Sequence, residues 1–334
     1  MKYDAILVTS FGGPEGPDEV MPFLENVLRG KNVPRERMLE VAEHYNHFGG
    51  KSPINEQNRQ LIGALESELA QYGPRLPIYL GNRNWHPLLA DTLAHMKTDG
   101  IGRALAFVTS AYSSYSSCRQ YREDIARARE AVGEGAPIVD KIRAFHNHPG
   151  FIEAVTDRLQ SALSTVPSDR RQAAHLIFTA HSIPAGMARG CDYEKQLKET
   201  ARLVAETSGH EEWKLVYQSR SGPPSQPWLG PDILDCLRDL KAQEGASDVV
   251  IAPIGFVSDH MEILYDLDTQ AKELCAELGL NMVRAQTVGT HPRFIRMIRE
   301  LIGERLDEGL PRPALGSLSP RPDLCPADCC PARS

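Results

Sequence analysis

The sequence predicts an α/β fold made of two parallel-sheet domains, and three observations carry that expectation. Short apolar, β-branched runs alternate with longer stretches whose apolar residues recur at helical spacing. The alternation passes through roughly four strands, breaks at KIRAFHNHPG (141–150), and resumes for about four more. Several of the apolar runs end in loops of Gly, Ser, His or carboxylate residues, and in open parallel sheets ligands bind beyond the carboxyl ends of the strands. Together these imply two similar domains, 1–145 and 146–309, each a four-stranded parallel sheet covered by helices on both faces, followed by a tail, 310–334.

The elements follow in order. Tyr3 to Thr9 reads as a buried strand, and Phe11-Gly12-Gly13-Pro14 turns the chain. Paired glycines let backbone approach a ligand, but the motif is not GxGxxG and the prolines after it remove amide donors, so a nucleotide cofactor is not expected. A helix runs from Asp18 to about Leu28 and another begins at Pro34. The segment from His44 to Pro53 is too polar and glycine-rich for a core element and reads as a pocket loop, with a helix starting near Pro53. Pro77 to Leu80 and Ala104 to Thr109 are strands separated by a helix from Pro87 to Lys97. The segment SAYSSYSSCRQY then concentrates Tyr112, Tyr115 and Tyr121, side chains suited to stacking on a planar ligand. A helix to about Ala131 and a strand at Ile138-Val139 complete the first set.

In the second set, helices are expected over Phe151 to Leu163, Tyr193 to Glu206, Ile233 to Gln243, from the turn near Asp259 to about Leu278, and Phe294 to Leu306. Strands are expected at Leu176 to Ala180, Leu215 to Tyr217, Val249 to Pro253 and Met282 to Ala285. The tail is proline-rich without apolar periodicity, so something other than a hydrophobic core has to hold it.

Size and charge narrow the function classes. The 334 residues, 41% hydrophobic and 24% charged, suit a globular protein with a substantial core. A formal charge of -7 without a long basic run argues against a nucleic-acid binder. The N-terminus lacks a long apolar region and no stretch approaches the roughly 18 apolar residues of a membrane span, so cytoplasmic residence is expected. Seven cysteines spread over the chain do not form a secreted disulfide framework.

Two stretches carry chemistry. In IAPIGFVSDHMEILYDLD, Asp259, His260, Glu262, Asp266 and Asp268 stand beside an apolar stripe, and Glu262 and Asp266 share a helix face. A metal or proton-transfer site is one reading. Asp259 followed three residues later by Glu262 is also a capping pair, and taken alone the capping reading is the stronger. His181 sits in the loop just beyond an apolar strand, at HSIP, where it can act as ligand or base or be satisfied by a backbone carbonyl.

SFGGPEGPDEVMPFLENVLRG, GGKSP, His181-Ser182-Ile183-Pro184, YQSRSGPPSQPWLGP and GFVSDHMEILYDLD, in this order, closely resemble the ferrochelatase family. The resemblance implies two Rossmann-like domains of the class II chelatase kind with a porphyrin cleft between them. It also implies insertion of Fe2+ as substrate into a porphyrin without a nucleotide cofactor. It is nearest the bacterial branch that makes coproheme from coproporphyrin III. Carried onto this chain, His181 and Glu262 become the catalytic pair that handles iron and pyrrole protons, and Asp259, His260 and Asp266 a polar shell around them. This reverses the capping preference for Glu262. Ser52 and Tyr121 fall at the porphyrin, with Arg29, His44 and Tyr45 near its propionates or face; an arginine grips a carboxylate bidentately. Phe11 replaces a tyrosine that some family members place near the metal, and a phenyl ring can pack on the macrocycle but cannot ligate iron.

Some members also hold a [2Fe-2S] cluster on one internal and three C-terminal cysteines. The resemblance therefore makes Cys118, Cys325, Cys329 and Cys330 the expected ligands of such a cofactor, although their Cx3CC spacing is unlike the better-known arrangement. From the residues alone, metal binding and a disordered tail with free thiols stand equal. The remaining expectations are a monomer with transient contacts to downstream haem-synthesis enzymes. Three alternatives stay open: a protoporphyrin IX ferrochelatase, cobalt or nickel insertion into a related macrocycle, and a non-catalytic haem or iron-sulfur sensor on the same fold.

Overall fold

A computed structural model describes residues 2–30, 33–223 and 225–332, so Pro224 of the sequence segment QSRSGPP lies outside the described residues. The chain forms two compact units, each built on one four-stranded parallel sheet. The first comprises the described parts of Met1–Thr109 with Gln120–Ile142 and Ile298–Leu310; the second comprises those of Ser110–Arg119, Arg143–Met297 and Pro311–Ser334.

In the first unit the strands are β1 (Ala5–Ser10), β2 (Ile78–Asn82), β3 (Arg103–Val108) and β4 (Ile138–Lys141), ordered β2-β1-β3-β4. Its helices include α1 (Pro17–Val27), α2 (Arg35–His47), α3 (Ile54–Tyr72), α4 (Leu89–Thr98) and α5 (Gln120–Val132). Every residue of β1 is buried, as a central parallel strand covered on both faces requires. Ala5 and Leu7 meet Leu89, Leu93 and Met96 of α4 and Ile125 of α5 on one face. On the face reached by α3, Asn82 Nδ2 donates to Asn55 Oδ1 at 3.2 Å.

The second unit repeats the plan with β5 (His175–His181), β6 (Trp213–Gln218), β7 (Asp248–Ala252) and β8 (Asn281–Arg284), ordered β6-β5-β7-β8. Between them run α6 (Pro149–Ser164), α7 (Ala185–Arg189), α8 (Tyr193–Ser208), α9 (Ile233–Asp239), α10 (Met261–Tyr265) and α11 (Lys272–Leu278), and α12 (Pro292–Leu306) follows β8. Ile177, Val216, Val249 and Ile251 pack on Ile233 and Leu237 of α9 and on Ile263, Leu267 and Cys275 after β7. The chain adds β6 on one side of β5 and β7 on the other, which makes the β5/β7 edge the topological switch point.

Three local differences from the sequence expectations bear on the site. The helix α2 continues through His44 and Tyr45 to His47, because a helix needs only one apolar stripe and Ala42 and Tyr45 supply it against Phe23 of α1. It stops where Gly49 and Gly50 take φ of 70° and 74° and Gly50 N–H donates to Tyr45 O at 2.8 Å. His181 is the last residue of β5, paired with Gln218, rather than a loop residue. The helix after β7 is α-helical over Met261–Tyr265, widens to a π-helix over Asp266–Ala271 and returns to α over Lys272–Leu278, a form often found at functional sites. Among the described residues no helix is long and apolar enough to cross a membrane.

Candidate functional site

At the carboxyl edge of the second sheet, β5 ends on His181, β6 on Gln218, and the loop after β7 delivers α10. Gly255 sets the depth of that loop. A Cβ there would lie 2.6 Å from Ala180 Cα, so a hydrogen side chain lets the loop lie against the end of β5. His181 Nε2 thereby stands 3.4 Å from Glu262 Oε1. His181 Nδ1 faces the Ser182 carbonyl, which makes it the N–H donor and leaves Nε2 as the working nitrogen. The Tyr193 hydroxyl donates to the His181 carbonyl at 3.0 Å, tying the strand end to α8.

Burial works against the His181 cation, but the Glu262 carboxylate outweighs it and raises the imidazole above its usual range. The same pairing, also against burial, holds Glu262 below the usual carboxylate range. At neutral pH the two are an imidazolium and a carboxylate.

His260, not Asp259, caps α10: its Nδ1 accepts from Glu262 N–H at 3.2 Å. Burial lowers its pKa, and a capping imidazole has to be neutral to accept. Asp259 instead pairs with Arg284, whose NH1 lies 3.3 Å from its Oδ1, and accepts from Thr287 Oγ1 at 3.1 Å. Asp266 accepts from the Ser219 hydroxyl and from Gln218 Nε2, and burial pushes its carboxyl up to about 7. Ser219 holds φ of 61°, a left-handed conformation for a residue with a Cβ, placed just beyond β6. Gln218 Nε2 also donates to the Glu262 carbonyl at 3.1 Å, so the end of β6 grips the same helical turn. The arrangement can hold a cation on Glu262, shuttle a proton through His181 and park another at Asp266. Gln218, Ser219, Tyr193 and Arg284 were not named as site residues from the sequence, which carries no local signal for them.

The remaining candidates lie in the first unit. Phe11, 39% exposed, packs edge-on against Phe23 at 6.3 Å, and Phe23 in turn meets Tyr45 at 5.7 Å and Trp85 at 6.1 Å. His44 is half-buried on α2, and that burial lowers its pKa. Arg29 is exposed just after α1. Ser52 is buried beneath the glycine turn, where a Cβ on Gly13 would meet its own Cβ at 2.7 Å. Tyr121 is buried on α5 under the Arg83 guanidinium, 3.7 Å from the ring centre, and Arg83 Nε is held by Asp124 at 2.5 Å. Tyr112, read as a stacking side chain, is a core residue of the second unit whose hydroxyl donates to Ile254 O at 2.9 Å.

The [2Fe-2S] expectation is corrected. Among the described residues no group of three or more His, Cys, Asp or Glu side chains is arranged to hold a metal ion, and this includes Cys118, Cys325, Cys329 and Cys330. Cys118 and Cys330 are buried, while Cys325 and Cys329 are half-buried. Burial first, then the neighbouring thiols of Cys329, Cys118 and Cys191, push Cys330 up to about 12, the opposite of what favours a thiolate ligand. The tail is held by polar contacts instead. Arg143 donates to Pro313 O at 3.1 Å, Asn147 Nδ2 to Leu318 O at 2.6 Å, and Leu315 N–H to Asn147 O at 2.8 Å. Ser317 Oγ donates to Glu199 at 3.1 Å, Arg321 pairs with Asp192 at 2.7 Å, and Arg119 reaches Cys329 O at 3.2 Å.

A family model described as ferrochelatase matches residues 3–306. The chain is 61% identical over 328 residues to a ferrochelatase of Rhodopirellula baltica, covering 98% of this chain and 93% of that protein. It is 52% identical over an aligned length of 354 to a coproporphyrin III ferrochelatase of Streptomyces griseus, covering 99% of this chain and 94% of that one. Among solved structures, SirB from Bacillus subtilis with Fe3+ superposes with a TM-score of 0.53 over 91% of this chain and 98% of that chain, a likeness of fold alone at 13% identity.

Proposed function

We infer the reaction from the premise that this chain belongs to the ferrochelatase family: it is a ferrochelatase, and the porphyrin into which it inserts Fe2+ is coproporphyrin III. The choice of porphyrin is supported by near-full-length likeness to relatives named for that substrate. The observation that carries the chemistry is the His181–Glu262 pair, 3.4 Å apart at the switch point of the second sheet.

Fe2+ insertion needs an anionic ligand that releases the ion and a base for two pyrrole N–H protons. Glu262 attracts the cation. As Fe2+ takes the place of the imidazolium opposite that carboxylate, His181, 33% exposed, gives up its proton to solvent and Nε2 becomes a base. On transfer of the ion, His181 accepts one pyrrole proton and restores the pair, and Asp266, with a carboxyl poised near neutrality, accepts the second. Phe11, Arg29, His44 and Tyr45 meet the macrocycle or its propionates, while buried Ser52 and Tyr121 support that surface from beneath. That the enzyme works as a cytoplasmic monomer, with transient contacts to downstream haem-synthesis enzymes, belongs to the same proposal and rests on the sequence reading.

Anaerobic Fe2+ insertion compared on coproporphyrin III and protoporphyrin IX tests it. A higher kcat/KM on coproporphyrin III is expected. A marked preference for protoporphyrin overturns the substrate, and porphyrin binding without insertion of either overturns the reaction.

A further inference from the structure

The chain around Glu262 carries more carboxylate than one transferring ion can use: Asp259, Asp266 and Asp268 surround it. An ion captured by the wrong carboxylate is lost to the reaction, because transfer demands a ligand aimed at the macrocycle. Arg284, the last residue of β8, occupies two of them. Its Nε donates to Asp268 Oδ1 at 2.6 Å and its NH2 to Asp268 Oδ2 at 2.8 Å, a two-pronged contact. Its NH1 reaches Asp259 Oδ1 at 3.3 Å. The cluster is well inside the fold, with side-chain exposures of 15% for Arg284, 19% for Asp259 and 31% for Asp268.

The placement matters as much as the charge. Asp259 precedes α10 and Asp268 lies in the π-helical stretch that follows it, so one guanidinium grips the chain on both sides of Glu262. Arg284 itself is fixed by strand pairing opposite Ile251, and the next residue, Ala285, donates its N–H to Ile251 O at 2.8 Å. From these contacts we propose that Arg284 is a positioning residue: it fastens the Glu262 turn to the sheet and withholds Asp259 and Asp268 from the iron. This rests on the reading of Glu262 as the metal carboxylate. A cation binding at Asp268 has to displace two charge-assisted hydrogen bonds first, whereas the side chains beside the Glu262 carboxylate are the imidazoles of His181 at 3.4 Å and His260 at 3.8 Å.

The test uses the full-length protein with Arg284→Met and Arg284→Lys, beside Glu262→Gln as reference. Zn2+ binding without porphyrin is measured by equilibrium dialysis, and kcat and KM for Fe2+ insertion are measured separately. Arg284→Met is expected to bind an additional equivalent of Zn2+, lost again in the Arg284→Met, Asp268→Asn double variant. Its kcat is expected to fall by about 10- to 100-fold, as for other residues that orient a metal ligand, with KM for porphyrin unchanged. Arg284→Lys, which keeps the charge without the fork, should keep wild-type Zn2+ stoichiometry with an intermediate kcat; if Arg284→Met does not fold, this variant decides, and a wild-type kcat in it overturns the proposal. Unchanged stoichiometry and kcat in Arg284→Met also overturn it, as does loss of kcat and porphyrin binding together in proportion to lost folded protein. Full activity of Glu262→Gln instead overturns the underlying metal reading.

Discussion

Lowering the pH should destabilise the second unit through two histidines that take no part in iron chemistry. His146 and His148 are 0% and 1% exposed. Burial, with Arg321 and Arg143 adding repulsion at His146 and Arg143 and Arg293 at His148, pushes both imidazoles down to about 3. Glu199 opposes this only weakly at His146. His148 also caps α6 through Nδ1, accepting from Gly150 N–H at 3.1 Å, so its protonation removes a cap and sets a cation at a helix N-terminus. In the unfolded chain each titrates near 6.5. Below that value the unfolded state binds more protons than the folded one, so stability falls with pH until the folded pKa is reached. One proton is worth about 1.4 kcal/mol per pH unit, hence roughly 2 to 3 kcal/mol for each histidine between pH 6 and pH 4, a large part of a typical folding stability. Urea unfolding followed by circular dichroism at those two values measures it. Whatever the starting stability of His146→Gln, its loss between pH 6 and pH 4 should be smaller than that of the wild type by about 2 kcal/mol. Parallel pH slopes for the two proteins would refute the reasoning.

Replacing His181 with alanine removes Nε2 and should lower Fe2+ insertion by at least about 100-fold, while thermal melting stays close to wild type because the ring is 33% exposed at a strand end. Gly255→Val drives a side chain into Ala180 Cα, lifts the loop from β5 and separates Glu262 from His181; a loss of about 1 to 3 kcal/mol in stability accompanied by a fall in kcat is expected from denaturation and insertion assays. Asn147→Ala removes the amide that donates to Leu318 O and Leu315 O, so the tail should become open to limited proteolysis while residues 143–297 remain protected.

Much of the architecture could be read along the chain because parallel strands buried on both faces leave continuous apolar runs, and helices between them leave a periodic stripe. Element ends were harder. Tyr45 and His47 looked like loop because α2 is polar except where it meets α1, and Phe23, which Tyr45 packs against, lies 22 residues away along the chain. The polar groups that shape the site were mostly hidden for the same reason. Gln218, Ser219 and Arg284 reach the Glu262 helix across separations of 44, 47 and 16 residues, and nothing in their own surroundings marks them.

The stretch GFVSDHMEILYDLD shows where the two kinds of information divide. Composition and spacing along the chain marked it as acidic and amphipathic, and motif order tied it to His181. They pointed to Asp259 as the cap, whereas His260 takes that place and Arg284 draws Asp259 away toward β8. The family resemblance likewise suggested four cysteines for a cluster, whereas folding leaves no metal-holding group among the described residues and secures the tail through Asn147, Glu199 and Asp192. Local sequence sets which backbone shape and which side chains are on offer. Long-range packing sets which donor meets which acceptor, since a hydrogen bond or ion pair is directional and is resolved only when distant strands are brought into register.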